Sequence, residues 1–381
     1  MLFLVAEFFA AVLLTGISIG FARRLRLLAH PVERSSHDIP TPQVGGVGIC
    51  LTMLAAWIVF PALFFSQGWN LRLIPMAISF FPGAIYIPLV ILGLALGLID
   101  DVLHLSAVNK LVGLIIVASV PALTYLPFFR PSIDYFPFLE YILPFSEFLG
   151  LIITIAWILF FMNAFNFMDG TNGQAGVFAI HAIVWWVLMT QYEIFATADF
   201  PEINWPFVAF MLVPVMATLG FLVWNFPRAW TFMGDSGSLP LGGILALMAV
   251  VRGGKGLDNF VAFLFPLSVF IFDVLFTLVR RKRRGENILQ AHRSHLYQRM
   301  LVARGWSHGR LLAFHLPYYI GSGILGFAYF VVFHLHSKIP APPFIGRTFF
   351  LILLALLLHN YARRVILAEK QQENIEGKVA S

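Results

Sequence analysis

The 381-residue chain is 59% hydrophobic, 12% charged and carries a formal net charge of +6. A soluble domain carries about 25% charged residues, so the composition excludes that class and predicts a polytopic membrane protein. The basic residues cluster beside apolar runs, which argues against nucleic acid as a partner, and the single cysteine, Cys50, excludes an intrachain disulfide and a zinc–cysteine cluster.

Apolar runs near 2–22, 45–66, 80–99, 111–127, 148–165, 175–192, 206–225, 238–251, 260–279, 311–336 and 347–362 give eleven candidate spans. The first run has no basic segment before it, contains Glu7 and is followed by Arg23, Arg24 and Arg26. That pattern predicts a retained span with its N-terminus outside, not a cleaved signal peptide. The eighth run is short and glycine-rich. Starting outside, the count puts the C-terminus inside, and 19 of the 25 Lys and Arg residues then fall in the inner loops and tail. Such an excess is what the positive-inside rule expects. The predicted fold is an all-α polytopic membrane bundle of about 10–11 transmembrane helices. It forms one integral-membrane domain over 1–381, with a polar, fraying cytoplasmic tail at about 363–381.

The loops that carry chemistry all fall on the inner side. Loop 23–44 is irregular, being rich in Pro and Gly, and its His37, hydroxyls such as Thr41 and exposed N–H groups suit a phosphate or a ribose. A topology-fixing basic linker is the alternative. The third run ends in Asp100 and Asp101. Adjacent carboxylates ionise easily only near a cation or water, so the pair belongs at the mouth of a span, facing water and a metal ion. Lys110 opens the next run, where it either snorkels to the interface or holds a lipid phosphate against those acids.

In loop 163–174, Asn163 and Asn166 share a helix face, and Asp169-Gly170 and Asn172-Gly173 are turn pairs. Amides and a carboxylate beside glycine turns suit a base and a sugar, or else cap helices. Loop 226–237 follows Asn225 and places Asp235 between Gly234 and Ser236-Gly237, where the backbone can approach a phosphate and the acid can reach Mg²⁺. Phe232 either stacks on a base or fills the interface. Loop 280–310 opens with Arg280–Arg284, an orientation signal that also contacts lipid headgroups. A helix would then put His292, His295 and Arg299 on one face, able to carry diphosphate charge. Zinc is the rival ligand there, but the hard oxygen donors of the other loops favour Mg²⁺. Asp273 lies inside the ninth run, either as a functional acid or as the cap of a packing network.

Taken together, Arg34–Gly46, Leu98–Asp101 with Lys110, Asn163–Gly173, Asn225–Ser238 and Ala291–Arg299 resemble the motifs of the polyprenyl-phosphate N-acetylhexosamine-1-phosphate transferase family, in the family's order. The resemblance implies transfer of a sugar 1-phosphate from a UDP-N-acetyl sugar to polyprenyl (undecaprenyl) phosphate, with UMP as co-product. It implies a multi-pass protein of the bacterial inner membrane, with its active site on the cytoplasmic face, and admits a homodimer. Asp100, Asp101, Asp169, Asp235 and His292 match catalytic positions. His37, Thr41, Lys110, Asn163, Asn166, Gly170, Asn225, Phe232, His295 and Arg299 match substrate-binding positions. Asp235, Asp100 and Asp101 match the metal site, which implies Mg²⁺ with Mn²⁺ as a second option.

Two departures qualify the match. Gln43 stands where many relatives carry Arg, and the histidine cluster is sparser than in the peptidoglycan-precursor branch. The form looks more like the branch that starts O-antigen or related lipid-linked glycans, with a muramyl-pentapeptide transferase as the alternative. An ion-coupled carrier using Asp100, Asp101 and Asp273 is the non-enzymatic rival, but a carrier wants its polar groups near the midplane. A hydrolase of lipid diphosphates lacks an evident nucleophile.

Overall fold

A computed structural model describes residues 2–29, 39–66, 83–124, 146–197, 205–253, 257–287, 294–335 and 343–379. Thirteen α-helices run through these residues: α1 (Leu2–Arg24), α2 (Gly45–Ser66), α3 (Gly83–Leu103), α4 (Ala107–Thr124), α5 (Ser146–Met168), α6 (Gln174–Thr197), α7 (Trp205–Asn225), α8 (Asp235–Gly253), α9 (Leu257–Leu264), α10 (Ser268–Arg283), α11 (Leu296–Arg304), α12 (His308–Leu335) and α13 (Pro343–Val379). A two-residue ribbon, β1 (Leu28–Ala29) with β2 (Thr41–Pro42), ties the first loop antiparallel. The expected all-α bundle is therefore present.

Eight helical segments among the described residues are long and apolar enough to cross a membrane, and α2 and α4 contribute shorter apolar stretches. Helices α9 and α10, joined by a 3₁₀ turn at Phe265–Leu267, act as one such segment over Leu257–Arg283. The short, glycine-rich eighth run becomes α8, the axis of the bundle. Every residue from Ser236 to Val250 is buried, and α2, α3, α5 and α9 pack around it. Association of apolar helices in lipid depends on close packing, which small residues permit. Helix α1 shows the complementary pattern. Glu7, Ala11, Thr15 and Ile19 form a buried stripe at i, i+4 spacing, while Phe9, Leu13, Ile17 and Phe21 face outward.

Three boundaries differ from expectation. Helix α3 continues through Asp100 and Asp101 to Leu103, so the acids sit on the last helical turn rather than in a loop, and His104 ends the helix in the left-handed region. His295 is extended at the head of α11, so the row expected to run helically through it begins one residue later, at Leu296. The helix of the last apolar run, expected over 347–362, does not stop there. Helix α13 continues to Val379, and Glu369 pairs with Arg299 of α11.

The charged loops share one end of the bundle. The Arg23 guanidinium lies 5.7 Å from the Trp230 ring centroid. Asn172 donates its N–H to His308 Nδ1 at 3.2 Å, and the tail meets α11 at that end.

Candidate active site

The site is built where α3 ends, α8 begins and α5 passes into a turn. Asp101 Oδ1 accepts the N–H of Asp235 at 3.0 Å and its Oδ2 that of Ser236 at 3.1 Å. A carboxylate from one helix thus satisfies the orphan amides that open another and faces the positive end of its dipole. The approach needs Gly97, one turn earlier on α3, where a Cβ would lie 2.4 Å from the Asp235 carbonyl. Gln43 Nε2 adds a third bond to Asp101 Oδ1 at 3.1 Å.

Asp100 points the other way. Its Oδ1 accepts the Leu105 N–H at 2.9 Å, and its Oδ2 accepts from Lys110 Nζ at 2.9 Å. The same ammonium pairs with Asp235 Oδ2. Asn166, on the last turn of α5, donates Nδ2 to Asp235 Oδ1 at 2.7 Å and to Ser238 Oγ at 2.8 Å. Three chain segments, the ends of α3 and α5 and the start of α4, therefore converge on Asp235.

A cavity of about 950 Å³ opens beside this cluster, lined in part by Asp100, Asp101, Asn166, Asp169, Gly170 and Asp235. Burial, reinforced by the charges of Asp235 and Asp101, holds the Asp169 carboxyl well above the usual carboxylate range. Phe232 and Asn225 also line the cavity. Asn225 works mainly as a tie. Its Oδ1 accepts the Gly173 N–H at 2.7 Å and its Nδ2 donates to the Thr231 carbonyl at 3.0 Å, joining the 169–173 turn to the 226–234 loop.

Other expected site residues are placed elsewhere. Thr41 is buried with its hydroxyl on the Ile39 carbonyl, 2.8 Å away. Asn163 donates back to the Leu159 carbonyl of its own helix at 2.9 Å. His295 Nδ1 lies 3.2 Å from Asp273 Oδ1, and Arg299 pairs with Glu369. None of these four lines the cavity. His37 and His292 lie outside the described residues.

Sequence reasoning missed Gln43 as a partner of Asp101, Ser238 as a partner of Asn166, and Arg26, which lines the cavity from the end of α1. Ser238 had a usable signal, since it lies one helical turn beyond Asp235. Arg26 lay in view among the basic residues after the first span, but nothing local distinguished it from Arg23 and Arg24.

Among the described residues no set of three or more His, Cys, Asp and Glu side chains is already arranged as a metal cage. The donor chemistry nonetheless fits a hard divalent cation. Asp101 and Asp235 lie close enough to Asp169 to disfavour its ionisation, and every carboxylate donor is oxygen.

The chain is similar in sequence to known proteins. The family model described as glycosyl transferase family 4 matches residues 83–253, the stretch from α3 through α8. The chain is 31% identical over 330 residues to a decaprenyl-phosphate N-acetylglucosaminephosphotransferase of Mycobacterium leprae, covering 82% of this chain and 78% of that protein. It is 28% identical over 292 residues to an undecaprenyl-phosphate alpha-N-acetylglucosaminyl 1-phosphate transferase of Thermotoga maritima, covering 76% and 78%. A phospho-N-acetylmuramoyl-pentapeptide-transferase of Lactobacillus gasseri is 30% identical over 227 residues, covering 58% of this chain and 64% of that protein. With its acids, lysine and amides gathered at one end of a membrane bundle, the chain belongs to the polyprenyl-phosphate N-acetylhexosamine-1-phosphate transferases of glycosyl transferase family 4, and is an enzyme of the sugar-1-phosphate transferase type.

Proposed function

We propose that the chain transfers an N-acetylhexosamine 1-phosphate, N-acetylglucosamine 1-phosphate first among the candidates, from its UDP-sugar to polyprenyl phosphate. The products are polyprenyl-diphospho-sugar and UMP, and the reaction opens a lipid-linked cell-surface glycan such as an O-antigen. The observation that carries this reading is the convergence of Asp100, Asp101, Asp169 and Asp235 with Lys110 at one end of membrane-length helices. An acceptor whose tail lies in lipid and a donor that arrives from water can meet only at such an end. The relatives named for N-acetylglucosamine transfer to decaprenyl and undecaprenyl phosphate support the substrate class. The excess of Lys and Arg at that end supports a cytoplasmic orientation in the bacterial inner membrane.

Phosphoryl transfer asks for positioning and charge neutralisation rather than covalent chemistry by the protein. Asp235, with Asp100 and Asp101 beside it, is the group assigned to hold Mg²⁺, or Mn²⁺ in its place. The ion supplies neutralisation of the donor diphosphate. Lys110 draws the lipid phosphate towards Asp100. A phosphate oxygen then attacks the sugar-linked phosphorus, the phosphoanhydride to UMP breaks, and a new phosphoanhydride to the lipid forms. Asn166 keeps Asp235 oriented throughout. One anhydride replaces another, so the reaction runs near equilibrium.

The test is transfer by the full-length protein in membranes, using polyprenyl phosphate and a panel of radiolabelled UDP-N-acetyl sugars. A lipid product with stoichiometric UMP, reversed by added UMP, is expected. No lipid product from any member of the panel, or label release as inorganic phosphate, overturns the reading.

A further inference from the structure

Asp273 is a carboxylate fully buried within the Leu257–Arg283 segment, outside the cavity that holds the acidic cluster. Its oxygens are heavily used. Oδ1 accepts the Leu296 N–H at 2.8 Å and the Thr277 hydroxyl at 3.3 Å, and lies 3.2 Å from His295 Nδ1. Oδ2 accepts the Tyr297 N–H at 3.1 Å and the Tyr361 hydroxyl at 2.9 Å. Leu296 and Tyr297 supply the first two amides of α11, so the acid of α10 seats that helix by its positive end.

Helix α11 in turn reaches the active-site turn. Tyr297 is fully buried and donates its hydroxyl to the Phe167 carbonyl at 3.0 Å, two residues before Asp169. The contact with the turn is tight. A Cβ on Gly170 would lie 2.1 Å from that hydroxyl oxygen. Burial together with the charges of Asp273 and Asp169 pushes the Tyr297 phenol up, so it stays a donor. Gly170 and Asp169 line the cavity, whereas Tyr297 and Asp273 do not.

We propose that Asp273 and Tyr297 are positioning residues for the transfer reaction. Asp273 fixes where α11 starts, Tyr297 fixes the height of the Phe167–Gly170 turn, and the turn sets Asp169 against Asp235 and Asp101. The inference rests on the reading above that this turn works in sugar-phosphate transfer. Small misplacements of reacting groups are costly, so a single distal hydroxyl can matter to the rate.

The experiment is a double-mutant cycle with the full-length protein, pairing Tyr297→Phe with Gly170→Ala, read by transfer kinetics and by amide hydrogen exchange over 167–173. Tyr297→Phe is expected to lower kcat about tenfold with little change in KM for polyprenyl phosphate. Exchange of the turn should quicken while exchange in α8 stays the same. Gly170→Ala alone is expected to lower kcat about a hundredfold, and to cost about tenfold less in the Tyr297→Phe background, where the hydroxyl it strikes is gone. Asp273→Asn, which keeps one acceptor oxygen, is expected to fall between wild type and Asp273→Ala. Independent losses in the cycle, with unchanged exchange over the turn, would overturn the proposal. If the wild-type protein transfers no sugar phosphate, the exchange measurement still decides whether Tyr297 holds the turn, so the two readings fail separately.

Discussion

Asp101 Oδ1 accepts the backbone N–H of Asp235 at 3.0 Å, so the acid that ends α3 holds the start of α8. The two residues are far apart in sequence, yet their spacing depends on a third, Gly97, which lets the helices touch backbone to side chain. An alanine there would place a methyl 2.4 Å from the Asp235 carbonyl group and the Ser236 nitrogen, atoms that cannot rotate away. Gly97→Ala is therefore expected to destabilise the protein by about 1–3 kcal/mol, the usual range for overpacking. It should also cut transfer by on the order of a hundredfold, because Asp235 shifts relative to Asn166 and Lys110. Thermal melting in detergent and radiolabel transfer measure the two effects. Wild-type values for both would show that α3 and α8 are not locked at this point.

Lys110 supplies the cation between Asp100 and Asp235, and all three side chains are only partly open to solvent. Removing it leaves two carboxylates facing each other, and it removes the charge proposed to receive the lipid phosphate. Lys110→Gln is expected to reduce transfer by about two to three orders of magnitude, with the larger part in kcat. Lys110→Arg should not restore full activity, since a planar guanidinium cannot stand in for a compact ammonium held between two acids. Steady-state kinetics with varied polyprenyl phosphate check both variants. Recovery of wild-type kcat by Arg would mean that only net charge matters at this position.

The bundle itself was legible from the sequence because each run of apolar residues reports its own burial in lipid. The order of the site loops was legible for the same reason, since parity follows from counting spans. Which acids touch which amides was not. Asp101 reads locally as half of a pair with Asp100, yet its oxygens go to Asp235, Ser236 and Gln43. His295 and Arg299 read as a basic row for diphosphate, but Asp273 and Glu369 reach them from two other helices. Spacing along one helix fixes which residues share a face. It carries no information about the partner that the bundle brings to that face. The burial of α8 was concealed for a related reason. A glycine-rich run looks weak as an isolated span, and the same small residues are what allow close packing at the centre.

Asp235→Asn keeps the volume of the side chain and one acceptor for Asn166, but removes the charge that balances Lys110 and that would hold a divalent cation. Its effect is therefore expected to separate chemistry from folding. Chelation with EDTA should abolish transfer by wild type, and added Mg²⁺ should restore it, with Mn²⁺ restoring part. The Asp235→Asn protein should stay inactive as Mg²⁺ is raised, while melting within a few degrees of wild type in EDTA. Transfer by the variant at saturating Mg²⁺ would remove Asp235 from the metal site. Full wild-type activity in EDTA would remove the metal altogether.

Asp169 carries the clearest pH signature. Its carboxyl sits well above the usual range because it is buried, and because Asp235 and Asp101 oppose a third negative charge. In the unfolded chain the same group ionises at about pH 3.9. The folded state therefore binds a proton that the unfolded state has released, and stability falls as pH rises from that value towards the raised one. An asparagine cannot ionise and escapes this loss. Metal-free Asp169→Asn protein is expected to melt higher than wild type at about pH 8, with the gap closing towards about pH 4. Transfer should move the other way, with the variant losing activity where wild type works, since a site acid that destabilises its own fold is the usual signature of stability given up for function. Melting curves in EDTA across that range, set beside transfer rates, make the comparison. A variant that melts with wild type at every pH would show that Asp169 ionises in the folded protein without penalty, and that its neighbours do not press on it.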